Sequence, residues 1–144
     1  MGDSKIILQN CLFFTANSLA RVISRMADQE FRITGLSPSH AFLLMTVKDY
    51  PGIGTKALSE HLQLAPSTVT RFVDSLVYKG LLVRESKGRE THLTLTREGT
   101  KLHKLIMKAW KNLHDRYSDV LGRKKGDDFT KLVDEVSLKL IEQK

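Results

Sequence analysis

Pro66 constrains this chain more than any other residue, because it stands between two apolar-patterned segments that one continuous helix cannot contain. In a helix interior its ring would clash with the preceding turn and its missing N–H would remove a hydrogen bond, whereas at a first helical position both features cost nothing. The segment before it, TKALSEHL from Thr55, reads as a short helix. Thr55 is its expected N-cap, and Ala57, Leu58 and Leu62 are expected to point inward. Gln63-Leu64-Ala65 is the turn. From Pro66, the stretch PSTVTRFVDSLVYKG repeats apolar residues at helical spacing, Val69, Phe72, Val73, Leu76 and Val77. That spacing leaves Ser67, Thr68, Thr70, Arg71, Asp74 and Ser75 on the opposite side. Gly80 after Lys79 is expected to close the helix in a left-handed conformation.

Strand patterning follows. Leu81-Leu82-Val83 opens one strand, Lys87-Gly88 is the expected hairpin tip, and the alternation Thr91-His92-Leu93-Thr94-Leu95-Thr96 forms the return strand. Two short helices joined by a tight turn and followed by a charged hairpin make a winged helix-turn-helix, in a mainly α fold with a small β-hairpin wing. Such a second helix reads DNA through side chains short enough to let its backbone approach the major groove, with donors that reach base edges and phosphates. Ser67, Thr68, Thr70 and Arg71 supply both. Arg84, Lys87 and Arg89 on the hairpin are placed to reach phosphates or an adjacent minor groove.

The chain resembles the MarR (multiple antibiotic resistance regulator) family of bacterial transcription factors over almost its whole length. The resemblance rests on LSPSHAFLLMTV at 36–47, TKALSEHLQLAPSTVTRFVDSLVYKGLLVRE at 55–85 and LTREG at 95–99, which are specific only in combination. It implies one domain over 1–144, with residues 37–96 as the DNA-binding core and wing, and residues 5–31 and 97–144 as helices that interlock two subunits. It further implies a double-stranded DNA operator of pseudo-palindromic sequence, a role as repressor, and release by a small-molecule effector. Wings of the family usually carry Asp-x-Arg at the tip. Arg89 falls at the family's Arg, and Lys87 stands where Asp is usual, so that Arg89 lacks its carboxylate tether and phosphate is as open to it as the minor groove.

Composition agrees with a polyanionic partner. The 144 residues carry a formal charge of +7, with 41% hydrophobic and 27% charged residues, an ordinary balance for a globular domain. No apolar run approaches the ~20 residues of a membrane span, and no leader pattern opens the chain, so a cytoplasmic protein is expected. Residues 5–31 read as one long helix with Leu8, Leu12, Thr15, Leu19, Val22, Ile23 and Met26 on one face and Phe13, Phe14, Ala16 and Ala20 outside it. A second helix starts at Ser37-Pro38 and runs to about Asp49. Thr96 caps a third, which keeps Leu102, Leu105, Ile106, Ala109, Trp110, Leu113, Tyr117, Val120 and Leu121 on one side and ends at Gly122. The GRKKGDD stretch reads as a loop, before a final amphipathic helix bearing Phe129, Leu132, Val133, Val136, Leu140 and Ile141. These faces carry more apolar surface than one compact subunit needs to bury, and a homodimer follows.

Rival chemistries are weaker. There is no Gly-rich phosphate loop, nucleophile elbow or metal-spaced cluster, so neither an enzyme nor a cofactor is expected. His40, His61, His92, His103 and His114 include no i, i+4 pair for a metal. A winged-helix module for protein partners would leave the basic hairpin idle. Trp110 and Tyr117, with Phe13, Phe14 and His40, could line an effector pocket, but a core role is favoured for each of them individually, so no ligand site is assigned. Cys11, the single cysteine, lies where some family members sense peroxide, but Leu12, Phe13, Phe14 and Thr15 surround it in sequence. Apolar neighbours raise a thiol pKa, so a small buried hydrophobe is the expected role. Peptide-level mass spectrometry after mild peroxide should show Cys11 unmodified; an oxygen or disulfide adduct on Cys11 would reinstate the redox-sensing alternative.

Overall fold

The computed structural model describes residues 2–143. In chain order these form α1 (Asp3–Gln9), α2 (Leu12–Glu30), a 3-10 turn (Phe31–Thr34), α3 (Pro38–Asp49), α4 (Thr55–Leu62), α5 (Pro66–Tyr78), β1 (Leu82–Lys87), β2 (Glu90–Leu95), α6 (Arg97–Leu121) and α7 (Arg123–Glu142). The chain divides into two compact units, residues 1–109 and 110–144, and the boundary falls within α6. The first unit contains the winged helix-turn-helix.

The core of that unit lies among α3, α4, α5 and the hairpin. Leu43, Leu44, Val47, Leu58, Val69, Val73, Leu76, Leu82, Leu93 and Ile106 are all buried. Each fully buried large aliphatic side chain contributes roughly 1.5–3 kcal/mol, so these positions dominate the unit's stability. Phe31 is fully buried and meets Phe42 edge to face at 5.4 Å. Ser37 caps α3 as expected: its Oγ accepts from the His40 N–H at 3.3 Å, and Pro38 occupies the first turn. Helix α4 departs slightly from its expected start, because extended Gly54 is the N-cap and Thr55 is already helical. Ala57 is exposed, and Ser59 is buried beside Leu58 in its place, its hydroxyl donating to the Leu64 carbonyl.

The hairpin is antiparallel with Leu82 opposite Leu95 and Lys87 opposite Glu90. Lys87 is therefore the last paired residue of β1, and the tip is Gly88-Arg89 rather than Lys87-Gly88. Gly88 has φ +65°, which suits glycine at the first position of a two-residue hairpin loop. A bridge between Ile53 and Leu93 ties the segment before α4 to the hairpin's other edge. Thr96 joins three pieces at the start of α6: its Oγ accepts from Gly99 N–H at 3.0 Å and donates to Gly80 O at 2.7 Å, while its N–H donates to Leu81 O at 3.1 Å.

Two expectations fail at helix breaks. Residues 5–31 are not one helix: α1 and α2 are bent by 71° across Asn10-Cys11. Asn10 turns its amide back onto Ile6 O at 2.8 Å, a local bond of the kind that competes with helical propagation, and Cys11 is extended. Apolar periodicity continues through the break and so conceals it. In the second unit, RKKGDD is not a loop but the opening of α7. Gly122 alone makes the corner, at φ +89°, and Lys124 meets Asp128 at 2.8 Å along the first turns. Buried Gly126 is helical, and its N–H donates to Gly122 O at 2.8 Å.

Gly99 has no room for a side chain, since an added Cβ would lie 2.2 Å from Leu81 O. Gly99→Ala should destabilise the protein by about 1–3 kcal/mol or more, read as a lower urea midpoint at unchanged m. A second test concerns pH. His40 stacks on Phe72 at 4.1 Å, and its Nδ1 lies 2.6 Å from Ser37 Oγ. Burial, helped by the Lys79 charge, holds this imidazole below its ordinary 6.5, and burial with Lys48 does the same to His103 against an opposing Asp49. The unfolded chain then takes up these protons at higher pH than the folded one. Stability should be at full strength above 6.5 and fall as the pH drops below it. Urea titrations at about pH 7.5 and about pH 5.5 should show this loss in the wild type and a smaller loss in His40→Gln.

Candidate nucleic-acid interface

The turn between α4 and α5 is set by one unusual backbone. Gln63 adopts φ +55°, and the Leu64 N–H donates back to Ser59 O at 3.1 Å, a helix-ending arrangement that lets the chain reverse within three residues. Ala65 is extended, its carbonyl accepts from the Val69 N–H at 3.1 Å, and Pro66 opens α5. Val69, Val73 and Leu76 are buried, which anchors α5 by one side.

The opposite side is where sequence patterning places it. Ser67, Thr70 and Arg71 are exposed and Thr68 is half-buried. Three of these side chains are already engaged locally. Thr70 Oγ1 donates to Pro66 O at 3.0 Å, which leaves its oxygen free to accept, and Arg71 Nη2 approaches Thr68 Oγ1 at 3.4 Å. Such long, exposed contacts hold a guanidinium weakly, so Arg71 is free to reach outward. On the hairpin, Arg84, Lys87 and Arg89 are all exposed. Among the described residues, neither Lys87, opposite Glu90 at the last pair, nor Arg89 in the tip forms an ion pair.

Arg84 differs from them. Its Nη2 pairs with Asp74 Oδ1 of α5. Strand alternation explains the reach: Arg84 lies two residues beyond buried Leu82 and opposite buried Leu93, on the hairpin face turned toward the core. Asp74 continues the α5 stripe of Ser67, Thr70 and Arg71 at i+7, i+4 and i+3. Sequence patterning offers Arg84 to phosphates or an adjacent minor groove and sets Asp74 on the polar side of α5, without linking the two. Ten residues and a change of element separate the two, and no periodicity signals that distance. An ion pair this exposed is worth only about 0–1 kcal/mol to folding.

The second unit holds the remaining candidates. Trp110 stacks on His114 at 5.2 Å, Tyr117 meets the same ring edge-on at 5.3 Å, and His114 Nε2 lies 3.0 Å from Asp127 Oδ1. Burial and the nearby Asp127 charge push the Tyr117 hydroxyl up. Hydrogen bonds from Lys111 and Arg123 hold the Asp115 carboxyl below its ordinary range. His40 is engaged by Ser37 and Phe72 within the first unit, and Phe13 is exposed. Cys11 is partly exposed at the α1–α2 break rather than buried. His61 packs against Tyr50 at 5.0 Å. Among the described residues, no three His, Cys, Asp or Glu side chains converge as a metal site, and no single helix is long and apolar enough to cross a membrane.

Residues 36–89 match the model of the MarR family, a span that contains α3, α4, α5, β1 and the hairpin tip. The transcriptional repressor MdtR of Bacillus subtilis is 27% identical over 90 residues, 60% of this chain and 58% of MdtR's length. Among solved structures, the repressor CouR bound to a 23-mer DNA duplex superposes with a TM-score of 0.84 at 20% identity, covering 90% of this chain and 94% of CouR. CouR bound to p-coumaroyl-CoA superposes with a TM-score of 0.83 at 19% identity, over the same shares of the two chains. At that identity the structural likeness establishes the fold, a winged helix-turn-helix with flanking helices.

Proposed function

Since the chain belongs to the MarR family of DNA-binding regulators, by the segment that carries its winged helix-turn-helix, we propose that it is a homodimeric repressor of transcription acting in the cytoplasm on a pseudo-palindromic operator. The observation that carries this reading is α5, anchored by Val69, Val73 and Leu76 with Ser67, Thr68, Thr70 and Arg71 on its free side. Short polar side chains let the helix backbone sit deep in a major groove, and Arg71 supplies the fork that fits a guanine edge. Lys87 and Arg89, which form no ion pair among the described residues, take phosphates or the neighbouring minor groove. The fold recurs in CouR held on a DNA duplex, which supports the same use of α5 here. The protein is a regulator and not an enzyme.

The dimer is proposed from residues 5–31 and 97–144. Ile6, Ile7, Leu12 and Phe13 are exposed near the N-terminus, as are Leu132, Leu140 and Ile141 on α7. Apolar surface of this kind marks an association site, and a two-fold axis would place two α5 helices in successive major grooves. An effector is proposed on the pattern of CouR, which binds p-coumaroyl-CoA, an aromatic acyl thioester. Such a ligand releases DNA only if it binds the DNA-incompetent spacing of the two α5 helices more tightly than the competent one. Cys11 is a lone cysteine beside Leu12 and Phe13, and nothing around it favours redox sensing over an effector.

Fluorescence anisotropy with the DNA upstream of the chain's own gene tests the reading. Arg71→Ala should weaken operator binding by about 1–3 kcal/mol, roughly 5- to 150-fold in Kd, and relax specificity at one base position. Arg89→Ala should weaken it less, uniformly across sequences, and lower the slope of log K against log salt by about one. Unchanged affinity for Arg71→Ala would remove that residue from the contact set.

A further inference from the structure

We infer that Arg84 serves DNA binding by neutralising Asp74 on the polar side of α5, rather than by contacting phosphate itself. The inference rests on the DNA-binding reading of α5. Asp74 shares the stripe of Ser67, Thr70 and Arg71, so a carboxylate stands within the surface that would meet the duplex. Left alone, that charge opposes a polyanion. Arg84 reaches it from β1, and the pair stays at the surface, with side chains 36% and 58% exposed for Arg84 and Asp74. A pair so accessible adds little to folding, and its effect is electrostatic: it cancels a negative charge on the surface that would meet the duplex. The direction of Arg84 is set by the fold: its strand face also carries Leu82 and faces Leu93, toward the core and away from the tip where Lys87 and Arg89 are free.

The two roles differ in what Asp74 does. If Arg84 is a phosphate contact, removing Asp74 releases it and later removal of Arg84 still costs that contact. If Arg84 acts through Asp74, the cost of losing Arg84 disappears once Asp74 is neutral. The test is operator binding by the full-length wild type, Arg84→Gln, Asp74→Asn and the double variant, each across a series of salt concentrations, with circular dichroism as the check of folding. Wild-type binding is the control for the DNA-binding reading itself; its absence sinks that reading, whereas the four-way comparison addresses only the pair.

Arg84→Gln is expected to raise Kd about tenfold. Asp74→Asn and the double variant should both stay within about threefold of wild type, with the wild-type salt slope. A double variant as weak as Arg84→Gln, with its slope lower by about one, would make Arg84 a direct phosphate ligand and overturn the inference. So would an Arg84→Gln variant that binds like wild type. Should Arg84→Gln fail to fold, the double variant compared with Asp74→Asn decides the matter: equal affinities support the pair, and a weaker double variant overturns it.

Discussion

The burial of Val69, Val73 and Leu76 on one side of α5 governs everything the opposite side can do. A helix of thirteen residues is marginal in isolation, so this one exists because its apolar side is held by the unit's core. Once that side is committed, the 3.6-residue period leaves no choice about where Ser67, Thr70 and Arg71 point. Pro66 fixes where the helix begins, and the left-handed Gln63 fixes the angle of approach from α4. The exposed polar surface of α5 is thus a by-product of core packing.

The hairpin depends on the same packing. Leu82 and Leu93 are buried, and the hairpin register carries Arg84 to Asp74 while leaving Lys87 at the last pair and Arg89 in the tip. Thr96 and Gly99 then lock the start of α6 onto the turn after α5, through the carbonyls of Gly80 and Leu81. The LTREG segment therefore has a steric reason: a threonine that both donates and accepts, and a glycine against which a backbone oxygen closes. A shift in any one of these contacts moves the wing relative to α5.

Much of this was legible in the residues themselves. The helix-turn-helix, the Ser37-Pro38 start, the positive-φ glycine at Gly80 and the Thr96 cap all announce themselves through local rules, because each is decided within four or five positions. What escaped was decided otherwise. The break at Asn10-Cys11 is made by one amide returning to Ile6 while apolar spacing runs on undisturbed, and a charged Gly-containing stretch after Gly122 looked like a loop although Lys124 and Asp128 support a helix. Ala57 and Ser59 exchanged places because a buried hydroxyl is acceptable once Leu64 O receives it. The Arg84–Asp74 pair, linking a strand to a helix, is a tertiary fact. Positions on α5 and the hairpin were readable from pattern; which cations remain free was not.

Guanine-N7 methylation interference on the operator tests most directly whether paired α5 helices read a duplex. The account predicts two clusters of interfering major-groove guanines, related by inversion and centred about one helical turn apart, roughly 10 base pairs. A single cluster, or binding indifferent to major-groove methylation, would contradict it.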